Sequence, residues 1–136
     1  MKQQIDYQQI QALVPVSHTP TIVDIPLPIN SILKGFSVQR KREDRGAAGM
    51  YQAVVYLSQE DKNSNVKIDH HLASGSIGHG GFYSLETEYF RWTLSKLLDH
   101  PIQKEGISLK VNVYNLTASS GNILVTTQIK NLEGGI

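Results

Sequence analysis

Asp69, His70 and His71 are consecutive, and His79 follows inside a glycine-rich run. Imidazole and carboxylate together suit zinc or iron. In an extended strand neighbouring side chains point to opposite faces, so His70 and His71 do not converge on one ion, whereas Asp69 and His71 share a face. A metal-bearing or enzymatic reading therefore rests on Asp69, His71 and His79. Their spacing matches no established ligand motif.

The other chemistry-bearing residues are similarly incomplete. Gly75-Ser76-Ile77-Gly78-His79-Gly80-Gly81 precedes an expected helix, where backbone N–H groups can meet a phosphate. The run lacks the Gly-Lys-Ser/Thr ending of a phosphate loop and the glycine order of a dinucleotide fingerprint. No Gly-x-Ser-x-Gly elbow frames a nucleophilic serine. Glu86 and Glu88 are two apart on the expected helix and diverge, so they form no carboxylate pair for glycoside chemistry. Lys34, Arg40, Lys41, Arg42 and Arg45 gather positive charge, but Phe36 is the only aromatic near them. Nucleic-acid binding would want stacking partners there. Asn115-Leu116-Thr117 is a glycosylation sequon, meaningful only in a secreted chain. The expectation is a non-enzyme with no catalytic residue, no cofactor and no metal.

Composition narrows the classes further. A chain of 136 residues is one ordinary domain and long enough to build a core unaided. With no cysteine, disulfides and thiolate chemistry are excluded. A net charge of +1 gives no global attraction to nucleic acid or to an anionic membrane. Only 18% of residues are charged, below the usual quarter, which suggests surface covered by partner chains. The N-terminus is too polar for a signal-peptide core, and the longest apolar run, Ala53 to Leu57, is too short to span a bilayer.

The elements that must position these residues are mostly strands. Ile107 to Tyr114 alternates apolar and polar without a break, Ala118 to Gly121 interrupts, and Ile123 to Ile129 resumes an extended pattern. This predicts a hairpin with one face in a core. Leu13 to Ser17 and Thr21 to Leu27 read as strands crowded by Pro15, Pro20, Pro26 and Pro28, which favours sheet edges. Ile32 to Arg40 is a strand with a bulge at Gly35. Met50 to Ser58 is apolar enough to be central, and Val66 to Leu72 is a further strand. Residues 73–81 read as a loop. Ser84 to Leu98 reads as one amphipathic helix, with Ser84 as N-cap and Leu85, Tyr89 and Trp92 on one stripe. Residues 1–12 form a glutamine-rich N-terminal arm anchored by Ile5, Tyr7 and Ile10, either ordered on a neighbouring subunit or loosely packed. The expected fold is mainly β: an antiparallel β-sandwich over residues 13–136 with one helix near 84–98.

Thr21 to Gly35 runs Thr-Ile-Val-Asp-Ile-Pro-Leu-Pro-Ile-Asn-Ser-Ile-Leu-Lys-Gly. This stretch resembles one in the jelly-roll capsid proteins of tailless icosahedral viruses, where a Leu-Pro turn runs into a strand of the form Ile-x-x-Ile-Leu-x-Gly. The length allows only one jelly roll, so the resemblance implies a single-jelly-roll penton or minor capsid component. It implies a virion protein assembled in the host cytoplasm, with copies of itself and other capsid proteins as partners, and no catalytic residues.

Three functions follow as competing expectations. The first is a structural protein that assembles through sheet edges and its N-terminal arm, without membrane insertion or specific nucleic-acid binding. The second is a carbohydrate- or receptor-binding sandwich using the 73–81 loop. The third is the metal protein using Asp69, His71 and His79. Candidate interaction residues are Ile5, Tyr7, Ile10, His79, Tyr83 and Trp92.

Overall fold

Alternation of inward apolar and outward polar residues runs through nearly every described segment, and each such segment is a strand. The computed structural model describes residues 5–41, 50–61, 66–78, 93–117 and 120–132. Eight strands occupy them: β1 (Ile5–Val14), β2 (Ser17–Pro26), β3 (Ser31–Arg40), β4 (Met50–Asp61), β5 (Val66–Gly78), β6 (Leu94–Ile102), β7 (Ile107–Asn115) and β8 (Gly121–Asn131).

The strands form two four-stranded antiparallel sheets, β1-β8-β3-β6 and β2-β7-β4-β5. The pairs β1–β8, β2–β7, β3–β6 and β4–β5 nest inside one another. The chain is thus one long hairpin, turned between β4 and β5 and rolled so that β8 meets β3 and β7 meets β4. That is the jelly-roll order of an eight-stranded sandwich.

Inward side chains from both sheets fill the space between them. Leu109, Val111 and Val113 of β7 and Ile123, Val125 and Ile129 of β8 are buried, as are Leu33, Phe36 and Val38 of β3 and Tyr51, Ala53, Val55 and Leu57 of β4. Each valine, leucine, isoleucine or phenylalanine among them contributes roughly 1.5–3 kcal/mol when fully buried. β4 is an interior strand, as its apolar content predicts, though its outward Val54 and Tyr56 are half-buried rather than buried. The bulge expected at Gly35 is present as a register shift between Leu33 and Gly35 against both neighbours.

Several expectations are corrected. No helix occurs among the described residues, and Leu94 to Leu98, the last part of the expected helix, belongs to strand β6. Leu94, Leu98 and Ile102 turn toward the core at four-residue spacing, which satisfies a helical and an extended period equally. Residues 79–92, with the rest of that expected helix, lie outside the described residues. β7 and β8 are not a hairpin: they belong to different sheets, because alternation specifies a strand but not its partner. Residues 73–78, expected as loop, continue β5. His18-Thr19-Pro20, expected as a break, lies within β2, where a register shift between Ser17 and Thr21 absorbs the proline. Residues 5–12 of the expected arm lie in β1, paired along its length with β8.

Candidate interaction surface

The two outer faces of the sandwich differ in charge. On β1, Ile10, Ala12 and Val14 turn toward the core, so Tyr7, Gln9, Gln11 and Leu13 point outward. Register carries these positions across the first sheet. Gln9, Thr126, Ser37 and Ser95 form one row, Gln11, Leu124 and Gln39 a second, and Tyr7, Gln128, Gly35 and Leu97 a third. None of these residues is charged. Gln9 Nε2 donates to Thr126 Oγ1 at 3.5 Å within the first row. Charge enters beyond them, at Lys130, at Lys41 beside Asn122 in the row of Leu13, and at the exposed Lys34–Asp99 pair beside the bulge.

The outer face of the second sheet is charged. Asp24, Lys110, Tyr56 and His71 form one row, and Pro26, Ser108, Ser58 and Asp69 the next. Lys110 Nζ lies 3.9 Å from Asp24 Oδ2, and the Tyr56 hydroxyl donates to Asn112 Oδ1 at 3.2 Å. Asp69 and His71 are exposed on this face, as alternation predicts. No group of three or more metal-ligating side chains occurs among the described residues.

Where the two sheets meet at β5 and β6, His70 stacks on His100 with ring centroids 6.2 Å apart. Lys96 Nζ donates to the Leu72 carbonyl at 3.1 Å in the same seam. His70, with no role in the metal reading, is therefore part of an inter-sheet contact.

At one end of the sandwich Arg40 is 2% exposed, its guanidinium carbon 4.0 Å from the centre of the Tyr51 ring. The ring face attracts the cation, which helps to offset its burial. Gly78, at φ 115°, lies under the same side chain: a Cβ there would stand 2.7 Å from Arg40 Cδ. Arg40, grouped from sequence with the basic residues Lys34, Lys41, Arg42 and Arg45, is buried instead. Asn115 of the sequon is also buried, at 1% exposure. Its side-chain oxygen accepts from the Thr117 backbone N–H and hydroxyl.

The expected interaction residues fall in different places. Tyr7 is 64% exposed on the uncharged face, while Ile10 is half-buried against the core. Ile5 begins β1. His79, Tyr83 and Trp92 lie outside the described residues. Sequence reading missed Leu13, which is 58% exposed on the same side of β1 as Tyr7, and the intervening Gln9 and Gln11. The signal was present: Tyr7, Gln9, Gln11 and Leu13 alternate with Gln8, Ile10, Ala12 and Val14.

Edge strands differ as well. β2 carries Pro20 and Pro26. β5 and β6 are each broken by a register shift, and β6 also contains Pro101 and an exposed Lys96. β1 has an unbroken ten-residue register with no proline, lysine or arginine. Among the described residues no helix is long and apolar enough to cross a membrane.

No family model and no curated protein matches the chain. Solved structures do. The capsid asymmetric unit of cyanophage Pam1 aligns with a TM-score of 0.55 at 10% identity, covering 96% of this chain and 86% of that one. A structure of infectious bursal disease virus, Gt strain, aligns with a TM-score of 0.51 at 13% identity, covering 99% of this chain but 34% of that one. At these identities the likeness is one of fold, and it extends over almost the whole of the eight-stranded chain.

Proposed function

We propose that this protein is a non-enzymatic structural subunit, a viral capsid, penton or minor virion component, that works by assembling through its sheet edges and N-terminal segment. The observation that carries this reading is the jelly-roll order of the described strands, together with a likeness of fold to the cyanophage Pam1 capsid structure that covers most of both chains. Assembly needs surfaces that lose water cheaply, and the uncharged outer face of the β1-β8-β3-β6 sheet meets that need. Its partners are copies of itself and other capsid proteins, and its place is the virion. Ile5, Tyr7 and Ile10 contribute through β1, and His79, Tyr83 and Trp92 are further contact candidates. Light scattering after size exclusion, with imaging of native particles, tests the reading. Particles built from oligomers of the chain are expected. A strictly monomeric protein found in no particle overturns it.

A second reading has one observation in its favour. Gln9, Gln11, Gln128 and Thr126 beside exposed Tyr7 offer neutral donors and acceptors next to an aromatic ring, which suits an uncharged sugar. Binding on a glycan array, lost on Tyr7→Ala, would favour this carbohydrate-binding alternative.

A further inference from the structure

Natural sheets block their edges with prolines, lysines, bulges or inward charges, because an open edge pairs with whatever strand it meets. Three of the four edges here carry such devices. β2 has its two prolines and a register shift, β5 its register shift, and β6 a register shift, Pro101 and Lys96. β1 alone lacks them, while presenting two large exposed side chains, Tyr7 and Leu13, on one face.

We infer that the edge of β1, unpaired among the described residues, is a self-pairing edge, joining a second copy of this chain in antiparallel register about a two-fold axis at Ile10. The residues fix this register. With Ile10 opposite its own copy, Gln9 faces the second copy's Gln11, and Tyr7 faces its Leu13. Opposed residues in an antiparallel pair point to the same side of the sheet. Tyr7 thus covers Leu13, an aromatic–aliphatic cross-strand pair, and symmetry makes the contact twice. Gln9 and Gln11 place side-chain amides in contact across the axis. Asp6, the single charge in β1, lies outside the Tyr7–Leu13 ladder, so no like charges oppose one another. The union makes one eight-stranded sheet, β6-β3-β8-β1 continued by β1-β8-β3-β6 of the second copy, and its uncharged outer face becomes continuous.

This inference rests on the reading of the protein as an assembling subunit and names the edge and register it uses. Three full-length proteins test it by light scattering after size exclusion, with circular dichroism to verify the fold. Wild type should be dimeric or larger. Gln9→Lys combined with Gln11→Lys sets like charges opposite across the axis and should shift the mass to monomer. Gln9→Lys combined with Gln11→Glu sets opposite charges there and should restore the wild-type mass. A monomeric wild type, a doubly lysine-substituted variant that still associates, or a Lys/Glu variant that fails to recover association overturns the edge. Dimers that build no particle keep the edge and remove the capsid reading. Particles indifferent to the lysine pair do the reverse.

Discussion

The side-chain amide of Asn115 donates to the carbonyl of Val14 at 3.0 Å, tying the end of β7 in one sheet to the end of β1 in the other. The two residues are 101 positions apart, and both are buried. The sequon that contains Asn115 is thus a structural corner. Its oxygen holds Thr117 while its nitrogen holds the first strand.

Asn115→Ala should therefore leave a buried carbonyl and a turn unpaired together. The expected loss is about 1–3 kcal/mol, the usual cost of stranding a buried polar group. Urea denaturation measures it. An unchanged midpoint would mean that water replaces the amide without penalty.

Gly106 sits at φ 83°, and a Cβ there would lie 2.9 Å from the Glu60 carbonyl oxygen. Its own carbonyl accepts from Glu60 N–H at 3.2 Å, docking the β6–β7 turn onto β4. Gly106→Ala adds left-handed strain and a backbone clash, with an expected cost of about 1–3 kcal/mol. Thermal unfolding reads this as a lowered Tm.

Arg40 packs its stem in the core and its guanidinium over Tyr51. Arg40→Ala should cost about 2–4 kcal/mol, combining a cavity with the lost cation–π contact. Arg40→Met keeps the stem and should cost less. Equal losses for the two variants would assign the whole effect to the charge.

Lys34 and Asp99 form an ion pair beside the β3–β6 bulge, with the Asp99 side chain 71% exposed. Solvent screening limits such pairs, so Asp99→Asn should change stability by less than about 1 kcal/mol. Equilibrium unfolding at low salt is the sensitive check, and a larger loss there would show that the bulge depends on the pair.

Most strands could be read from sequence because their outward residues are polar and their inward residues are β-branched or aromatic. Ile107 to Tyr114 and Ile32 to Arg40 are the clearest cases, and the Gly35 bulge was readable from its glycine. Partner choice was not readable, because Ile123 to Ile129 looks the same whether it pairs with β7 or with β1. β6 was lost to the four-residue spacing of Leu94, Leu98 and Ile102, common to both periods. β1 was obscured because Tyr7 and Leu13 stand at outward positions and Gln8 at an inward one, which blurs the apolar alternation. The burial of Arg40 had no local signal, since it depends on Tyr51 and Gly78 meeting it from other strands.

The nested strand order also sets a sequence of events. Among the paired strands only β4 and β5 follow one another directly in the chain, so their pairing closes the smallest loop. Each pair outside it becomes affordable to the chain only after the pair within has formed, which places β1 on β8 last. Pulse-labelled hydrogen exchange should find the amides of β1 and β8 acquiring mutual protection after those of β4 and β5, and the opposite order would refute this. The open edge is then a maturity signal: it exists in ordered form only once every inner layer is in place, so a half-folded chain has no template to offer its neighbour.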